Sequence, residues 1–554
     1  MAGRSAVVEA LAGRLRDRRA SPNHWEGRLA SSALAGGTAV LALHLTSRSI
    51  RNRSVELDGY VRRGIAWLRE HQNADGGWGD TIRSRSNIST TAIVWASLSL
   101  IVAGESEYSD AICRAQQWLD GAAGGTTPAA LRAAILRRYG TDHTFSVPIL
   151  TVLALTGKLG SEAAITWRSV PQLPFELAAL PHHWFQHLRL PVVSYALPAL
   201  IAIGQVRHHF APSRNPATSL LRNAVRARTL RLLRAMQPDS GGYLEATPLT
   251  SFVVMSLSGA GLATNPVVTA GVKFLTDSMR DDGSWPIDTN LATWVTTLST
   301  VALGPEHLTV AERAGIREWL LTQQTRHEHP FTHAAPGAWA WTPLSGGVPD
   351  ADDTSGALLA LAVLGDIDAR VITAAAAGAR WLMRVQNADG GVPTFCRGWG
   401  TLPFDRSTPE ITAHAIRAWS AWADRFDSAM RSEVMTAANR ALAFLERTQR
   451  PDGSWIPLWF GNEDGHAEEN PVYGTARALA GLNALLVRDA PCAVRCRERA
   501  LEWLLSAQND DGGWGGDRGV GSSVEETGVA LAAIAGGEGA GRCDAAIEKG
   551  RVWL

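Results

Sequence analysis

The sequence predicts an all-helical protein built from stacked helix pairs, and three observations carry that prediction. A short frame recurs along the chain: an aromatic-aliphatic pair, then Gln, then a glycine turn closed by an aromatic residue. Between copies the chain is rich in Ala and Leu at helical period, as over residues 91–101, 355–364, 473–486 and 527–534. Trp is unusually frequent, with 21 residues against 12 Phe and 6 Tyr.

The frame is fullest at three places. Trp67-Leu68 leads to Gln72 and Asp75-Gly76-Gly77-Trp78; Phe444-Leu445 leads to Gln449 and Asp452-Gly453-Ser454-Trp455. Trp503-Leu504 leads to Gln508 and Asp511-Gly512-Gly513-Trp514. Weaker copies are Leu232-Leu233 with Gln237 and Gly242-Tyr243, and Phe274-Leu275 with Gly283-Ser284-Trp285. In a further copy, Trp381-Leu382 with Gln386 and Gly390-Gly391, Val392 takes the aromatic position. The aromatic pair belongs on the last turns of a helix, and the Asp-Gly element is a tight turn needing positive φ. The closing Trp can stack back on the chain and the Gln can cap a neighbouring helix. Repeats of this kind encode stacking, so these Trp residues read as staples.

At 554 residues the chain exceeds one ordinary core, and two or more domains are expected. Basic and acidic residues balance at 53 each, which gives no basis for nucleic-acid binding. Five scattered cysteines (Cys113, Cys396, Cys492, Cys496, Cys543) do not make a disulfide framework and fit a reducing compartment. Residues 1–20 are charged throughout, without the apolar run of a secretory signal. The longest apolar stretch, residues 192–206, contains Pro198 and falls short of the ~20 residues a membrane span requires. Attachment to one membrane face stays open.

The chemistry concentrates in Val348-Pro349-Asp350-Ala351-Asp352-Asp353-Thr354, three carboxyls within four residues. An aromatic segment, Gly337-Ala338-Trp339-Ala340-Trp341, precedes it and an apolar helical run follows. Carboxyls so crowded raise one another's pKa, and at least one is expected to keep a proton at neutral pH. Such a group beside aromatic rings suits protonation of an apolar substrate. The plain alternative is a helix N-cap with acidic first-turn residues.

Together these motifs resemble the squalene-hopene cyclase family of class II terpene cyclases, over nearly the whole chain from His24-Trp25-Glu26-Gly27 onward. The repeat looks like that family's QW motif, and Asp350-Ala351-Asp352-Asp353 like its Asp-x-Asp-Asp motif with the same preceding Pro and following Thr. Glu410-Ile411-Thr412-Ala413-His414 resembles its acidic-x-Thr-Ala-His segment. The resemblance implies that Asp352 is the acid, flanked by Asp350 and Asp353, with a cationic His414 strengthening it. It implies cation-stabilising aromatics at Trp341, Phe395, Trp459, Tyr473 and Tyr195. It further implies two α/α barrels: residues 1–35 plus 225–554 carrying the acid, and residues 36–224 inserted. The expected reaction converts squalene, or a similar linear polyprene, to a hopene-like polycycle without metal or cofactor. Family likeness also implies a homodimer held peripherally on the cytoplasmic side of the inner membrane. Its candidate plateau is residues 185–210 with the helix at 220–236, which carries Arg222, Arg226, Arg228, Arg231 and Arg234.

Departures from the family pattern qualify this. The sequence closes on Lys549-Gly550-Arg551-Val552-Trp553-Leu554, the opening of one more repeat, where family members continue. Less complete cyclisation, completion by another chain, or inactivity would follow. Acidic residues usual after the first Trp segment are replaced over residues 30–37. The loop 459–473 is long and carries Glu463, Asp464, His466, Glu468 and Glu469. It reads as a solvated loop, or as a Mg²⁺ site if the substrate is a prenyl diphosphate. A zinc-dependent prenyltransferase subunit is disfavoured, since Cys492 and Cys496 have no matching Asp and His nearby. A non-catalytic lipid-binding toroid is the remaining alternative.

Overall fold

A helix leaves its last carbonyls without intrahelical partners, and here the repeat supplies the missing donors. The structure, a computed structural model, describes the chain apart from residues 1, 51–53, 141, 182–183, 185–191, 331, 401 and 538–542. The indole N–H of Trp78 donates to Leu68 O at 2.8 Å, that of Trp285 to Leu275 O at 2.7 Å, and that of Trp514 to Leu504 O at 2.8 Å. Each Gln amide then ties its own turn to the next outer helix. Gln386 donates to Gly390 O at 2.8 Å and Ala437 O at 2.9 Å, and Gln508 to Gly512 O at 2.8 Å and Ala546 O at 2.9 Å. Gly76 and Gly512 sit at φ 92° and 94°, and a Cβ on either would lie 2.8 Å from a carbonyl oxygen of the adjoining helix. Only glycine meets both demands.

One further copy lies at Gln324, which reaches Gly337 O at 2.8 Å and Ala374 O at 2.9 Å while Trp339 donates to Leu320 O at 2.7 Å. A long loop separates its Gln from its glycine, which hides the frame in the sequence. At Val392, where the aromatic is missing, Trp419 comes from the next helix and donates to Ala379 O at 3.2 Å.

These staples build two α/α barrels, one inserted in the other. In the inserted barrel the inner helices Ala33–Ser49, Ile88–Ile101, His143–Leu155, Val192–Phe210 and Thr247–Gly259 pack in a closed ring. In the other, Ala292–Leu303, Ala351–Leu364, Pro409–Trp422, Pro471–Leu482 and Val524–Ala535 pack in succession. Their outer partners include Ala369–Val385, Ser428–Thr448 and Pro491–Ser506. Among the described residues two large cores result: one takes in residues from Ala33 to Trp285, the other Ala12 and Trp25 with Leu303 to Ile547, and a small third cluster gathers Tyr195, Val348 and Cys396. The boundary drawn at 224/225 therefore falls inside the inserted core. Helices Thr247–Gly259 and Pro266–Asp277 pack on Ala33–Ser49, so this core closes only after Trp285.

Among the described residues no helix is long and apolar enough to cross a membrane. Of the plateau at 185–210, residues 185–191 lie outside the described part.

Candidate active site

Asp350 caps the helix Ala351–Leu364, its Oδ1 accepting the backbone N–H of Asp353 at 2.8 Å. The capping reading thus holds for Asp350, and it fixes where its neighbours point. Asp352 lies in the first helical turn and meets the next inner helix: its Oδ1 is 2.7 Å from His414 Nδ1. Its Oδ2 accepts the indole N–H of Trp294 at 3.3 Å. Three inner helices therefore converge, N-terminal ends first, on one carboxyl.

Burial dominates the electrostatics. It pushes Asp350 up to about 8, the N–H bond from Asp353 pulling down and the Asp352 charge pushing further up. Asp353 stands well above the usual carboxyl range, through burial and the charges of Asp350 and Asp352. For Asp352 burial also raises, yet the hydrogen bond and charge of His414, the Arg477 charge and the Trp294 N–H outweigh it. Its pKa is lowered. Burial lowers His414 as well, against the pull of Asp352 and with Arg477 and Arg417 adding to the depression. The two partners thus compete for one proton across a 2.7 Å contact. Glu410, one turn before His414, is raised by burial to about 7 while Leu458 N–H holds its Oε1 at 2.8 Å.

An aromatic wall adjoins the acid. Ala351 N–H donates to Thr394 O at 2.7 Å, which places Phe395 beside the motif. Phe395 has ring centroids of Tyr195 at 5.2 Å, Phe404 at 5.7 Å and Trp341 at 6.2 Å. Trp459 continues the wall 6.2 Å from Phe404, held by its indole N–H on Thr394 Oγ1 at 2.7 Å. Tyr473 stands apart, stacked on Phe460 at 4.6 Å with Arg477 over its ring at 5.5 Å. Four of the five expected aromatics therefore form one surface, and Tyr473 lies outside it, within reach of the Asp352 charge. Trp294, Phe404 and Arg477 escaped the sequence reading. The single signal for Trp294 was a Trp outside any repeat frame.

The acidic loop is exposed, as the solvated reading expects, and it also meets the other barrel. Asp464 pairs with Arg85, Glu468 with Arg138, and Glu463 Oε2 accepts Arg85 N–H at 2.8 Å, so its carboxylates reach the inserted barrel through surface ion pairs. Glu469 takes Arg450 at 2.9 Å. Carboxylates already matched by arginine do not fit a Mg²⁺ site. Among the described residues no group of three His, Cys, Asp or Glu is placed to hold a metal.

A double α/α barrel with a buried Asp-Ala-Asp-Asp acid, a histidine on that acid and an aromatic wall defines a class II terpene cyclase. The chain matches the squalene-hopene cyclase C-terminal domain over residues 4–126 and 290–535, more than half its length, and belongs to that family. It is similar to the enfumafungin synthase of Hormonema carpetanum, at 24% identity over 88% of this chain and 40% of that longer protein. To the squalene–hopene cyclase of Bradyrhizobium diazoefficiens it is 25% identical, over 90% of this chain and 78% of the relative. To the drimenyl diphosphate synthase of Streptantibioticus cattleyicolor it is 32% identical, over 47% and 45%. The fold is also that of the ent-copalyl diphosphate synthase from Streptomyces platensis, with TM-score 0.52 and 20% identity over 98% of this chain and 92% of that one.

Proposed function

We propose that the protein cyclises a linear isoprenoid by protonating its terminal alkene, with Asp352 as the acid. The 2.7 Å contact of Asp352 Oδ1 with His414 Nδ1, inside a set of buried carboxyls, carries this reading. An alkene is a very weak base, so the donor must leave behind a well-stabilised carboxylate. His414 and Trp294 address one oxygen each, and Arg477 adds a positive field. Asp350 and Asp353, kept protonated by burial, add no competing negative charge. As the proton moves to the alkene, the carbocation forms beside Trp341, Phe395, Trp459 and Tyr195, with Tyr473 near the same carboxyl. Their ring faces attract a desolvated cation by about 2 kcal/mol each without trapping it. The cyclised cation ends by losing a proton to water, and Asp352, ionised at neutral pH by its lowered pKa, takes up a proton from solvent before the next turnover.

Squalene or a similar polyprene is one substrate reading, supported by family membership. A prenyl diphosphate is the other, and the higher identity to a drimenyl diphosphate synthase favours it. No step is assigned to Mg²⁺ in either. Incubation with squalene, and separately with farnesyl or geranylgeranyl diphosphate with and without Mg²⁺, distinguishes them by GC-MS, with Asp352→Asn run beside each. A cyclic product that vanishes in the folded variant supports the acid assignment. A product that survives in Asp352→Asn refutes it, and no product from any substrate favours a lipid-binding toroid.

We also infer peripheral attachment to the cytoplasmic face of the inner membrane and pairing of two copies. Exposed Leu177, Leu180, Trp184, Leu220 and Leu221 beside the arginine-bearing helix Pro216–Ala235 support the attachment. Vesicle flotation and sedimentation equilibrium test the two claims.

A further inference from the structure

The helix Val192–Phe210 carries Tyr195 into the aromatic wall at one end and lines a separate cavity at the other. This cavity, about 130 Å³, is bounded by Phe175, Gln205, His208, His209, Asn223 and Arg226 among others. One water needs only ~10–15 Å³, so a polar group of several heavy atoms fits.

Two of its lining side chains are incomplete. Gln205 and His208 are 2% and 5% exposed. Gln205 commits its amide N–H to Thr229 Oγ1 at 2.9 Å, and its Oε1 is buried with no partner. His208 Nε2 meets Asn223 Oδ1 at 3.1 Å, and its Nδ1 is likewise buried with no partner. Burial lowers the pKa of His208, which favours the neutral ring. With Nε2 carrying the hydrogen, both orphan atoms are acceptors, and buried acceptors call for a donor.

The surrounding charge has the opposite requirement. Arg222 and Arg168 both repel Arg207 here, and the Arg226 charge acts on His209. Glu176 is the carboxylate near His208, and Arg222 holds it with contacts of 2.8 and 3.0 Å. Arg207 is committed to the carbonyls of Val170 and Ala211. The guanidinium of Arg226 has no ion-pair partner among the described residues, and it lines the cavity. A positive rim above buried acceptors suits an anion that also carries a hydrogen-bond donor.

We propose that this cavity binds a phosphate ester bearing a hydroxyl or ammonium group. Arg226 takes the phosphate, and Gln205 Oε1 and His208 Nδ1 accept from the donor. The ester is a phospholipid headgroup or a free phosphorylated metabolite. Exposed Leu177 and Leu220, on the two segments that also supply Phe175 and Asn223, suit acyl chains beside the headgroup.

The test uses the full chain in two arms. Calorimetry follows glycerol 3-phosphate, phosphoethanolamine and inorganic phosphate; co-sedimentation compares phosphatidylglycerol-containing vesicles with pure phosphatidylcholine. Binding in at least one arm is expected to weaken about tenfold in Arg226→Gln and in Gln205→Met, since each loses one charge-assisted or buried hydrogen bond. Arg228→Gln, an exposed charge on the same helix, should change it by about twofold or less. Vesicle binding alone identifies a lipid, and binding of the soluble esters a metabolite. Equal losses in Arg226→Gln and Arg228→Gln would reduce the effect to diffuse surface charge and overturn the site. So would absence of binding in both arms, or inorganic phosphate binding as tightly as the esters. Melting temperatures are read for each variant, and Arg226→Gln, which removes no hydrogen bond or ion pair among the described residues, stands if Gln205→Met proves unstable.

Discussion

Trp294 Nε1 donates to Asp352 Oδ2 from 3.3 Å, on the oxygen opposite the one His414 holds. Trp294→Phe keeps the ring and removes this N–H. Turnover should fall about tenfold, as expected for one hydrogen bond to a charged group. KM and melting temperature should stay near wild type. Steady-state kinetics check it, and an unchanged kcat would leave the indole a packing residue.

Stability should depend on pH with a definite sign. Unfolded carboxyls titrate near ~4, whereas Asp350 keeps its proton to about 8 and Glu410 to about 7. Over that window the folded state binds more protons than the unfolded one, so these groups make stability fall as pH rises. Asp352 acts oppositely: its lowered pKa adds stability above the unfolded value, lost as pH falls through the folded one. Calorimetric melting from pH 5 to 8.5 should show a declining Tm, and Asp350→Asn, which keeps the helix cap, should flatten the decline.

Gln386 is 1% exposed and serves two carbonyls. Gln386→Ala removes both bonds and leaves Gly390 O without this donor, which costs about 1–3 kcal/mol. Denaturant midpoints should drop accordingly while low-temperature activity persists.

Phe395 stands at the centre of the aromatic wall. Phe395→Leu removes one cation–π partner worth about 2 kcal/mol, or roughly thirtyfold in the step it serves. GC-MS should show slower turnover with a larger share of less-cyclised products. An unaltered product profile would place the cation path elsewhere.

The repeat was legible because each of its members has one chemical task. Gln72, Gly76 and Trp78 respectively bridge two segments, permit positive φ, and satisfy a helix-end carbonyl, so their spacing is stereotyped. The copy at Gln324 and Trp339 was missed because its turn is a long loop. The inserted barrel's limit was misdrawn for a related reason: helices on both sides of residue 225 use the same frame, and only packing says which core they enter. The acidic loop stays exposed, and only packing pairs it with Arg85 and Arg138 of the other barrel.

Helical stacking, the Asp-x-Asp-Asp motif and the candidate histidine were legible in the residues alone, because those rest on local spacing and on side-chain chemistry that survives any context. Tertiary structure decided which carboxyls keep protons, that Trp294 and Arg477 join the acid, and that Phe404 completes the wall. Those outcomes depend on burial and on approach distances between helices far apart in the chain, where a shift of an ångström changes a hydrogen bond and no residue pattern records it.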